Sequence, residues 1–358
     1  MELTRLDLRN LRNLADVSLR PAPGLNVLIG PNGAGKTSVL EGLHLLAYGR
    51  SFRGRVRDGL VRTGQDALEV FAEWRVPGKE SDRRAGLRHS GGSWEARLDG
   101  QAVSHLGELC AAFMVVTFEP GSHALVSGGG EPRRRFVDWG LFHVEQGFLP
   151  LWRRYSRALK QRNALLKSAA GVAQISAWDL ELATAGEDLT RRRLLYLERL
   201  QERLAPVALE LAPSLGAMSL EFEPGWRRSS LPLLDALAVS RDRDRMLGHT
   251  SVGPHRADWK LRLSNKEGGE ALSRGQAKLA ALSCLFAQGA DCAAEQGDWP
   301  VFALDDLASE LDSTHRERVL ALLASTPAQA FVTGTDALEV SAPTKVFHVE
   351  QGTVEPSR

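Results

Sequence analysis

Alternating polar and apolar positions at the start of the chain predict a β-strand. Leu3, Leu6 and Leu8 are separated by polar residues over 2–8, the period of two that a half-buried strand shows. An apolar run at 25–29 predicts a buried strand, and the apolar positions of 38–47 recur with the spacing of one helix face. Further strands are predicted at 67–76, 94–98 and 113–118. The N-terminal third is therefore predicted to be mainly β-structure.

The pattern changes after a glycine-rich segment at 127–130, which we take as a boundary. Long helices rich in Arg and Leu are predicted beyond it. One helix has an apolar seam with 3-4-3-4 spacing, typical of packing along a partner helix, which we expect at 148–167. The seam consists of Leu197, Leu200, Leu204, Val207 and Leu211. Pro206 lies within it and predicts a kink or a restart of the helix.

Strands return after residue 248, at 259–263, 301–304 and 331–333. The 358 residues are 43% hydrophobic and 25% charged, as in ordinary globular proteins, so extensive disorder is excluded. Three cysteines without zinc spacing suit a reducing compartment. No apolar stretch is long enough to cross a bilayer. We therefore expect a cytoplasmic protein that does not engage a membrane.

The net charge of +1 argues against a protein whose whole surface binds nucleic acid. The charge is unevenly distributed, however. Residues 1–132 carry 16 basic and 15 acidic side chains, residues 133–245 carry 19 and 14, and residues 246–358 carry 10 and 15. A basic middle segment therefore separates a neutral start from an acidic end.

Residues 30–37 fit the phosphate-binding pattern G-x-x-x-x-G-K-[ST] between a predicted strand and a predicted helix. Glycines allow backbone N–H groups to face phosphates, and the helix N-terminus adds partial positive charge. Lys36 is assigned to the β/γ-phosphate oxygens, Thr37 to Mg²⁺ and Ser38 to the α-phosphate. The predicted ATP-binding residues are Gly30, Asn32, Gly33, Ala34, Gly35, Lys36, Thr37 and Ser38. The alternative is an ordinary glycine-rich turn with a surface lysine.

Two acidic residues, Asp305 and Asp306, directly follow the predicted buried strand at 301–304. In P-loop nucleotidases an acid at such a strand end helps to hold Mg²⁺, the role that we assign to Asp305. Asp306 would polarise the attacking water and, with Lys36, is the predicted catalytic group. The alternative is a solvated strand end.

Residues 272–279 precede an apolar helical pattern and resemble the LSGGQ signature of ATP-binding-cassette (ABC) ATPases. In that class the signature contacts the ATP of the opposite subunit. The resemblance therefore implies that Ser273, Arg274, Gly275 and Gln276 act in trans in an ATP-dependent homodimer. The alternative is a plain helix N-cap at Ser273. Ser309 and Asp312 resemble the D-loop that lies along the dimer seam in this class.

Lys36 and Ser273 are 237 positions apart, which leaves room for the predicted helices and favours the SMC/Rad50/RecF branch of the class. Within that branch the chain resembles the RecF family. The matching stretches, in the family order, are 11–13, 49–53, 129–140, 253–258 and 272–279. The resemblance implies an α/β fold: an ABC-type P-loop ATPase head, with a mixed sheet and flanking helices, interrupted by a helical arm insert. The implied parts are 1–125 (head), 126–245 (insert) and 246–358 (head).

The family resemblance also implies a function. A protein of this kind dimerises on ATP and Mg²⁺, binds duplex or gapped DNA at single-strand/double-strand junctions, and helps to load RecA with RecR and RecO during DNA repair. It hydrolyses ATP weakly, as a release switch. The nucleotide-binding subunit of an ABC transporter is the alternative, and a long SMC-type tether is a third hypothesis, excluded by the short helical insert.

Clustered arginines of the basic middle segment suggest DNA phosphate contacts, with Arg191, Arg192 and Arg193 as candidates. Ion pairing on a solvated helix face is the alternative. Arg12 and Arg53 are expected near the nucleotide. His255 and Arg256 could contact nucleotide or DNA, or satisfy nearby carbonyls. Glu119 and Thr335 are candidates for the Q-loop and switch positions.

Overall fold

The computed structural model describes residues 1–54, 59–78, 81–168, 171–265, 272–335 and 344–357. The chain divides into two compact units. The head unit comprises residues 1–122, 210–212 and 282–358, and the insert unit comprises residues 123–209 and 213–281. No helix in the described part of the chain has both the length and the apolar character that a membrane span requires.

The elements follow one another in chain order. The N-terminal part of the head unit contains β1 (Glu2–Leu11), β2 (Leu14–Leu19), β3 (Leu25–Ile29), α1 (Lys36–Tyr48), β4 (Ala67–Arg75), β5 (Arg83–Ser90), β6 (Ser93–Leu98), β7 (Gln101–Ala102), α2 (Leu106–Ala112) and β8 (Val115–Phe118). The next segment contains α3 (Ala124–Ser127), α4 (Gly130–Val144), α5 (Phe148–Lys167), α6 (Val172–Leu211), β9 (Met218–Glu223), α7 (Leu233–Leu247) and β10 (Asp258–Leu263). The C-terminal part contains α8 (Arg274–Gln296), β11 (Val301–Leu304), α9 (Leu307–Glu310), α10 (Ser313–Ser325), β12 (Ala330–Gly334), β13 (Thr344–Glu350) and β14 (Thr353–Pro356).

One sheet of the head unit is mostly parallel and has the order β14-β13-β3-β12-β11-β8. Only the β13–β14 pair is antiparallel among these described strands. β11 and β12 are buried along their whole length, as expected for parallel strands covered on both faces. The carboxyl ends of β3, β11 and β12 therefore lie at one edge of the sheet, where ligands of such sheets bind.

The other sheet of the head unit is antiparallel, with the order β2-β1-β4-β5-β6-β7. Buried and more exposed positions alternate along much of β1, in which Leu6 and Leu8 are fully buried. They share an apolar cluster with Leu40 and Leu43 of α1. The predicted amphipathic strand and helix thus pack into the same core.

The insert unit contains a long helix, α6, which covers 40 residues or about 60 Å. Leu197, Leu200 and Leu204 of the predicted seam are buried. The helix continues through Pro206, so the restart considered there does not occur.

The insert unit extends beyond residue 245 and ends at Ala281. β10 pairs with β9 of the same unit in an antiparallel ladder, which ties residues 258–263 to the insert. Sequence periodicity could not indicate this pairing, because the partner strand lies about 40 residues earlier. The division at 125 and 245 stays a prediction.

Candidate nucleotide-binding site

The loop between β3 and α1 has a backbone that requires glycine at two positions. Gly30 has φ 156°, and a Cβ there would collide with the carbonyl oxygen of Val349 in β13. Gly35 has φ 123°, and its Cβ would lie 2.7 Å from a methyl carbon of Leu14. Larger residues would therefore open the loop, whereas glycine lets it close around a phosphate group.

Lys36 is the first residue of α1 and folds back into this loop. Its Nζ donates to the carbonyl oxygens of Gly30 at 2.6 Å and Pro31 at 2.9 Å. Burial lowers the pKa of Lys36, and the nearby Asp306 and Asp305 carboxylates oppose that shift. The ammonium group is thus held where the loop backbone and two acids meet.

Thr37 and Asp305 are 268 positions apart in the sequence and are hydrogen-bonded in the structure. The Thr37 hydroxyl donates to Oδ1 of Asp305 at 2.9 Å. The Thr333 hydroxyl of β12 donates to the same oxygen at 2.8 Å. Burial raises the pKa of Asp305, while the hydrogen bonds from Thr333 and Thr37 lower it. A hydroxyl and a carboxylate oxygen side by side are a suitable ligand pair for Mg²⁺, which prefers oxygen ligands and keeps several waters.

Asp306 is the N-cap of α9 and adopts the left-handed conformation, with φ 51° and ψ 43°. Its Oδ1 accepts a hydrogen bond from the Ser309 hydroxyl at 2.8 Å. Its backbone N–H donates to the Thr333 hydroxyl at 2.7 Å. Asp is among the few residues other than glycine that tolerate this backbone conformation, which gives a local reason for Asp at this position.

Thr333 was not among the predicted site residues. The sequence suggested Thr335 as the switch candidate, because it follows the last core strand. Thr333, two positions earlier, is the threonine that bonds both Asp305 and Asp306. The sequence alone could not place Thr333 beside the acids, because this required knowing that β12 pairs with β11, the strand that precedes Asp305 and Asp306.

Arg12 and Glu41 form a buried ion pair beside the loop. The pair is bidentate: Nε of Arg12 donates to Oε2 of Glu41 at 2.9 Å, and Nη2 donates to Oε1 at 2.8 Å. Glu41 is fully buried and also accepts a hydrogen bond from the Ser51 hydroxyl. The Ser51 hydroxyl in turn accepts from the backbone N–H of Arg53 at 2.9 Å. Glu41 therefore connects the two arginine-bearing segments expected near the nucleotide.

Most of these groups line one cavity of about 720 Å³ within the head unit; Gly30, Glu41 and Ser51 are not part of its wall. Glu119, the Q-loop candidate, is part of its wall. The lining residues are Arg12, Asn13, Asn32, Gly33, Ala34, Gly35, Lys36, Thr37, Ser38, Phe52, Arg53, Glu119, Pro120, Asp305, Asp306 and Thr333. Glycine-loop, lysine and acidic residues from distant parts of the sequence thus share one site.

Comparison of the chain with known proteins shows its family. The family model described as the RecF/RecN/SMC N terminal domain matches residues 2–355. The DNA replication and repair protein RecF of Stenotrophomonas maltophilia (strain R551-3) is 63% identical over 360 residues, covering 99% of both chains. The chain belongs to the RecF family. The RecF protein of Xanthomonas oryzae pv. oryzae (strain MAFF 311018) is 61% identical and is covered completely.

Solved structures agree with the RecF family assignment. A structure of the recombination mediator protein RecF-ATP in the RecFOR pathway matches all of this chain and 98% of that chain, with a TM-score of 0.88 and 26% identity. An Smc head bound to the C-winged helix domain of ScpA matches with a TM-score of 0.62 and 16% identity, a likeness of fold alone. The predicted fold class, an ABC-type ATPase head of mixed sheet and helices with a helical insert, is confirmed.

The segment that resembles the ABC signature lies at the N-terminus of α8. The backbone N–H of Ser273 donates to the Gln276 side chain at 3.1 Å, and the backbone N–H of Gln276 donates to the Ser273 hydroxyl at 3.3 Å. This reciprocal arrangement caps the helix. Ser273, Arg274 and Gly275 are exposed. Their action in trans remains a prediction.

The two residues that resemble the D-loop stabilise the start of neighbouring helices. Ser309 bonds Asp306, and Asp312 caps α10 by accepting from the backbone N–H of His315 at 2.9 Å. The hydrogen bonds from His315 lower the pKa of Asp312. A place along a dimer seam remains a prediction for both.

The three arginines predicted to contact DNA have carboxylate partners. Arg193 is buried, with Nε and Nη2 on Asp138 at 2.8 Å and 2.9 Å. Arg192 lies 3.1 Å from Glu145, and Arg191 lies 2.8 Å from Asp188. In this arrangement Arg193 packs inside the insert unit and offers no charge to solvent. Arg191 and Arg192 stay more accessible, but their charges are balanced.

His255 fits the simpler of its two interpretations. Its Nδ1 lies 2.7 Å from the Tyr155 hydroxyl, and its Nε2 lies 2.9 Å from the carbonyl oxygen of Thr250. Burial lowers the pKa of His255 to about 4. It is therefore a neutral, internally bonded side chain, whereas the neighbouring Arg256 is exposed.

Proposed function

We propose that this chain is an ATP-dependent, DNA-binding recombination mediator that acts in DNA repair. The observation that carries the proposal is the Thr37–Asp305 hydrogen bond beside the glycine loop, in a chain 63% identical to a RecF protein. The structural neighbour described as RecF-ATP supports ATP as the nucleotide. We infer RecR and RecO as partners from that neighbour's place in the RecFOR pathway, and DNA from the relatives described as DNA replication and repair proteins. RecA loading is inferred from the family resemblance.

The site residues divide the work of binding and hydrolysing ATP. The loop N–H groups and Lys36 hold the phosphates, and Ser38 reaches the α-phosphate. The Thr37 hydroxyl and the Asp305 carboxylate would hold Mg²⁺, which neutralises charge on the phosphate oxygens. Asp306, oriented by Ser309, accepts a proton from the attacking water. Hydrolysis by this single carboxylate is weak and serves to release DNA.

The second half of each site comes from another copy of the chain. The exposed Ser273, Arg274 and Gly275 at the N-terminus of α8 present a hydroxyl and backbone N–H groups that suit a γ-phosphate. ATP bound to one protomer would therefore attract the signature segment of its partner. An ATP-dependent homodimer with two nucleotides between the protomers results, and it acts in the cytoplasm as the DNA-binding form.

The transporter subunit is the weaker alternative. Its supporting observations, the phosphate loop and the acidic strand end, are equally expected of a RecF-type head. The relatives that cover nearly all of this chain at 60–63% identity are DNA replication and repair proteins. We therefore retain the repair function.

Substitution of Lys36 and Ser273 tests the proposed cycle. We expect Lys36→Ala to lose nucleotide binding, because the phosphates lose their cationic partner. Ser273→Arg should bind ATP yet stay monomeric, because the bulky charge faces the ATP of the partner protomer. Equilibrium binding of a fluorescent ATP analogue, sedimentation velocity and ATP turnover, each with and without duplex DNA, measure these steps.

Ser230→Arg is the matched control, since Ser230 is also an exposed serine of the insert unit. It should dimerise with ATP like the unmodified protein. Equal dimerisation by Ser273→Arg would contradict the trans role of the signature, and unchanged ATP affinity in Lys36→Ala would contradict the nucleotide site itself.

A further inference from the structure

Helix α5 has an uncompensated positive face in the insert unit. Its 20 residues include basic side chains but no acidic one. The basic residues are Arg153, Arg154, Arg157, Lys160, Arg162 and Lys167. A helix of this composition differs from α4, α6 and α7 of the same unit, each of which contains both acidic and basic residues.

Four of these side chains share one face of the helix. At 100° per residue, Arg157, Lys160 and Lys167 lie about +40°, −20° and −40° from Arg153, so the four span an arc of about 80°. All four are exposed. At 1.5 Å per residue they extend over about 21 Å of the helix axis. We call these four residues the α5 basic stripe.

The remaining two basic residues of α5 have carboxylate partners. Arg162, on the opposite face, is fully buried against Asp179 and Asp244. Arg154 bonds Glu181 with both Nε and Nη2. Within the described residues, by contrast, no member of the α5 basic stripe has an ion pair or a hydrogen bond from its side chain. Its charge is therefore available to a partner outside the chain.

The buried face of α5 keeps the stripe in place. Leu151, Tyr155 and Ala158 are buried at helical spacing, and Tyr155 is bonded to His255. Arg162 adds a buried ionic link to α6 and α7. The stripe is therefore presented by an anchored helix, and little order must be imposed on the helix backbone when a partner binds.

We propose that the α5 basic stripe binds the phosphate backbone of duplex DNA. Duplex DNA carries one negative charge per about 1.7 Å of its axis, so about 12 phosphates lie along the 21 Å that the stripe covers. Contacts from basic side chains to phosphate oxygens position DNA regardless of its sequence. The proposal rests on the proposed DNA-binding function and assigns it to a surface that differs from Arg191, Arg192 and Arg193.

The test replaces the stripe by uncharged side chains of similar length, in the full chain with ATP present. The stripe variant carries Arg153→Gln, Arg157→Gln, Lys160→Gln and Lys167→Gln. The control variant carries the same loss of four charges from the same unit, at exposed arginines that have carboxylate partners. It combines Arg135→Gln, Arg154→Gln, Arg191→Gln and Arg228→Gln. Affinity for a duplex is measured between 50 and 200 mM salt, in two unrelated sequences.

Each lost phosphate contact lowers the slope of log affinity against log salt by about 0.9, so the stripe variant should lose about 3.6 from the slope. Over this fourfold range of salt, the unmodified protein then loses about a hundredfold more affinity than the stripe variant does. The control variant should keep most of the slope, and both duplex sequences should respond equally.

The outcomes distinguish this inference from the proposed function. ATP binding should be the same in all three proteins. If the unmodified protein binds DNA and the stripe variant keeps the same salt slope, the stripe proposal is overturned. If the control variant loses as much slope as the stripe variant, the paired arginines bind DNA equally and the assignment fails. If the unmodified protein binds no DNA, both proposals fail.

Discussion

At the residue scale, one hydroxyl holds two acidic residues in their places. Thr333 is buried and donates to Asp305 while it accepts from the backbone N–H of Asp306. The same atom thus fixes the predicted magnesium ligand and the backbone of the predicted water-activating residue. Thr333 is a positioning residue, because it acts on the reaction through its two neighbours.

Thr333→Val should separate this role from a general effect on folding. Valine has the same shape but leaves the Asp306 N–H without its partner and removes one donor from Asp305, at a cost of about 1–3 kcal/mol. We expect ATP turnover to fall about tenfold, with a smaller change in ATP affinity, because the glycine loop is untouched. Thr333→Ser restores the hydroxyl and should recover turnover. Normal turnover by the valine variant would contradict the assignment.

The glycine loop could be predicted from the sequence because its chemistry is local. Eight consecutive positions and their flanking periodicity indicated the loop and the residues that line it. Thr333 and Glu41 could not be found in that way. Their roles depend on which strand lies beside β11 and on which loops approach α1, and these long-range pairings leave no mark in the local pattern.

At the element scale, a single arginine links three helices of the insert unit. Nε of Arg162 in α5 lies 2.6 Å from Asp179 in α6, and Nη1 lies 2.7 Å from Asp244 in α7 and 2.8 Å from the Thr250 hydroxyl. Asp179 also bonds Arg241 at 2.9 Å. The charges are fully buried, so each depends on its partners for stabilisation.

Arg162→Leu should therefore destabilise the protein strongly. Removing one partner of a buried ion pair leaves uncompensated carboxylates and costs about 3–5 kcal/mol. Arg154→Leu is the control, because Arg154 is half-exposed in its pair with Glu181 and such pairs contribute about 1 kcal/mol or less. Urea unfolding followed by circular dichroism measures both. Similar unfolding midpoints for the two variants would contradict a structural role for the buried network.

The sequence predicted long packed helices in the insert, but it did not predict which side chains of these helices pair with one another. The 3-4-3-4 seam indicated a long packed helix, and α6 has that character. Of the kink or restart predicted at Pro206, the restart does not occur, because α6 runs unbroken through that residue. Which arginines meet carboxylates depends on the neighbouring helices. Arg193, which pairs with Asp138, and Arg157, which has no carboxylate partner in the described part of the chain, therefore look alike in the sequence.

At the scale of the whole molecule, the near-neutral charge results from two opposite requirements. The acidic third contains Asp305 of the proposed magnesium site and Asp312 of the proposed dimer seam. The basic middle third contains the α5 basic stripe. Composition alone indicated this division, and the structure adds that only part of the basic charge is uncompensated.

Buried His44 and His143 and half-buried His255 give the whole molecule a pH dependence. Burial lowers the pKa of His44 to about 3, of His143 to about 3 and of His255 to about 4. The unfolded chain binds these protons near pH 6.5, whereas the folded protein excludes them until the pH is much lower. Their contribution to stability is therefore fully present above about pH 6.5 and is lost as the pH falls toward 4.

We expect the free energy of unfolding to fall between pH 7 and pH 5, with each of these three histidines contributing up to about 1.4 kcal/mol per pH unit once its unfolded form is protonated. His255→Gln should reduce this slope by the share of one proton, because its side chain does not titrate. His348→Gln, at an exposed position, is the control and should leave the slope of the unmodified protein intact. Urea unfolding at pH 7, 6 and 5 measures the slope. An equal slope in the two variants would mean that His255 is protonated in the folded protein. Its Nδ1–H would then donate to the Tyr155 hydroxyl, while its Nε2–H would still donate to the carbonyl oxygen of Thr250.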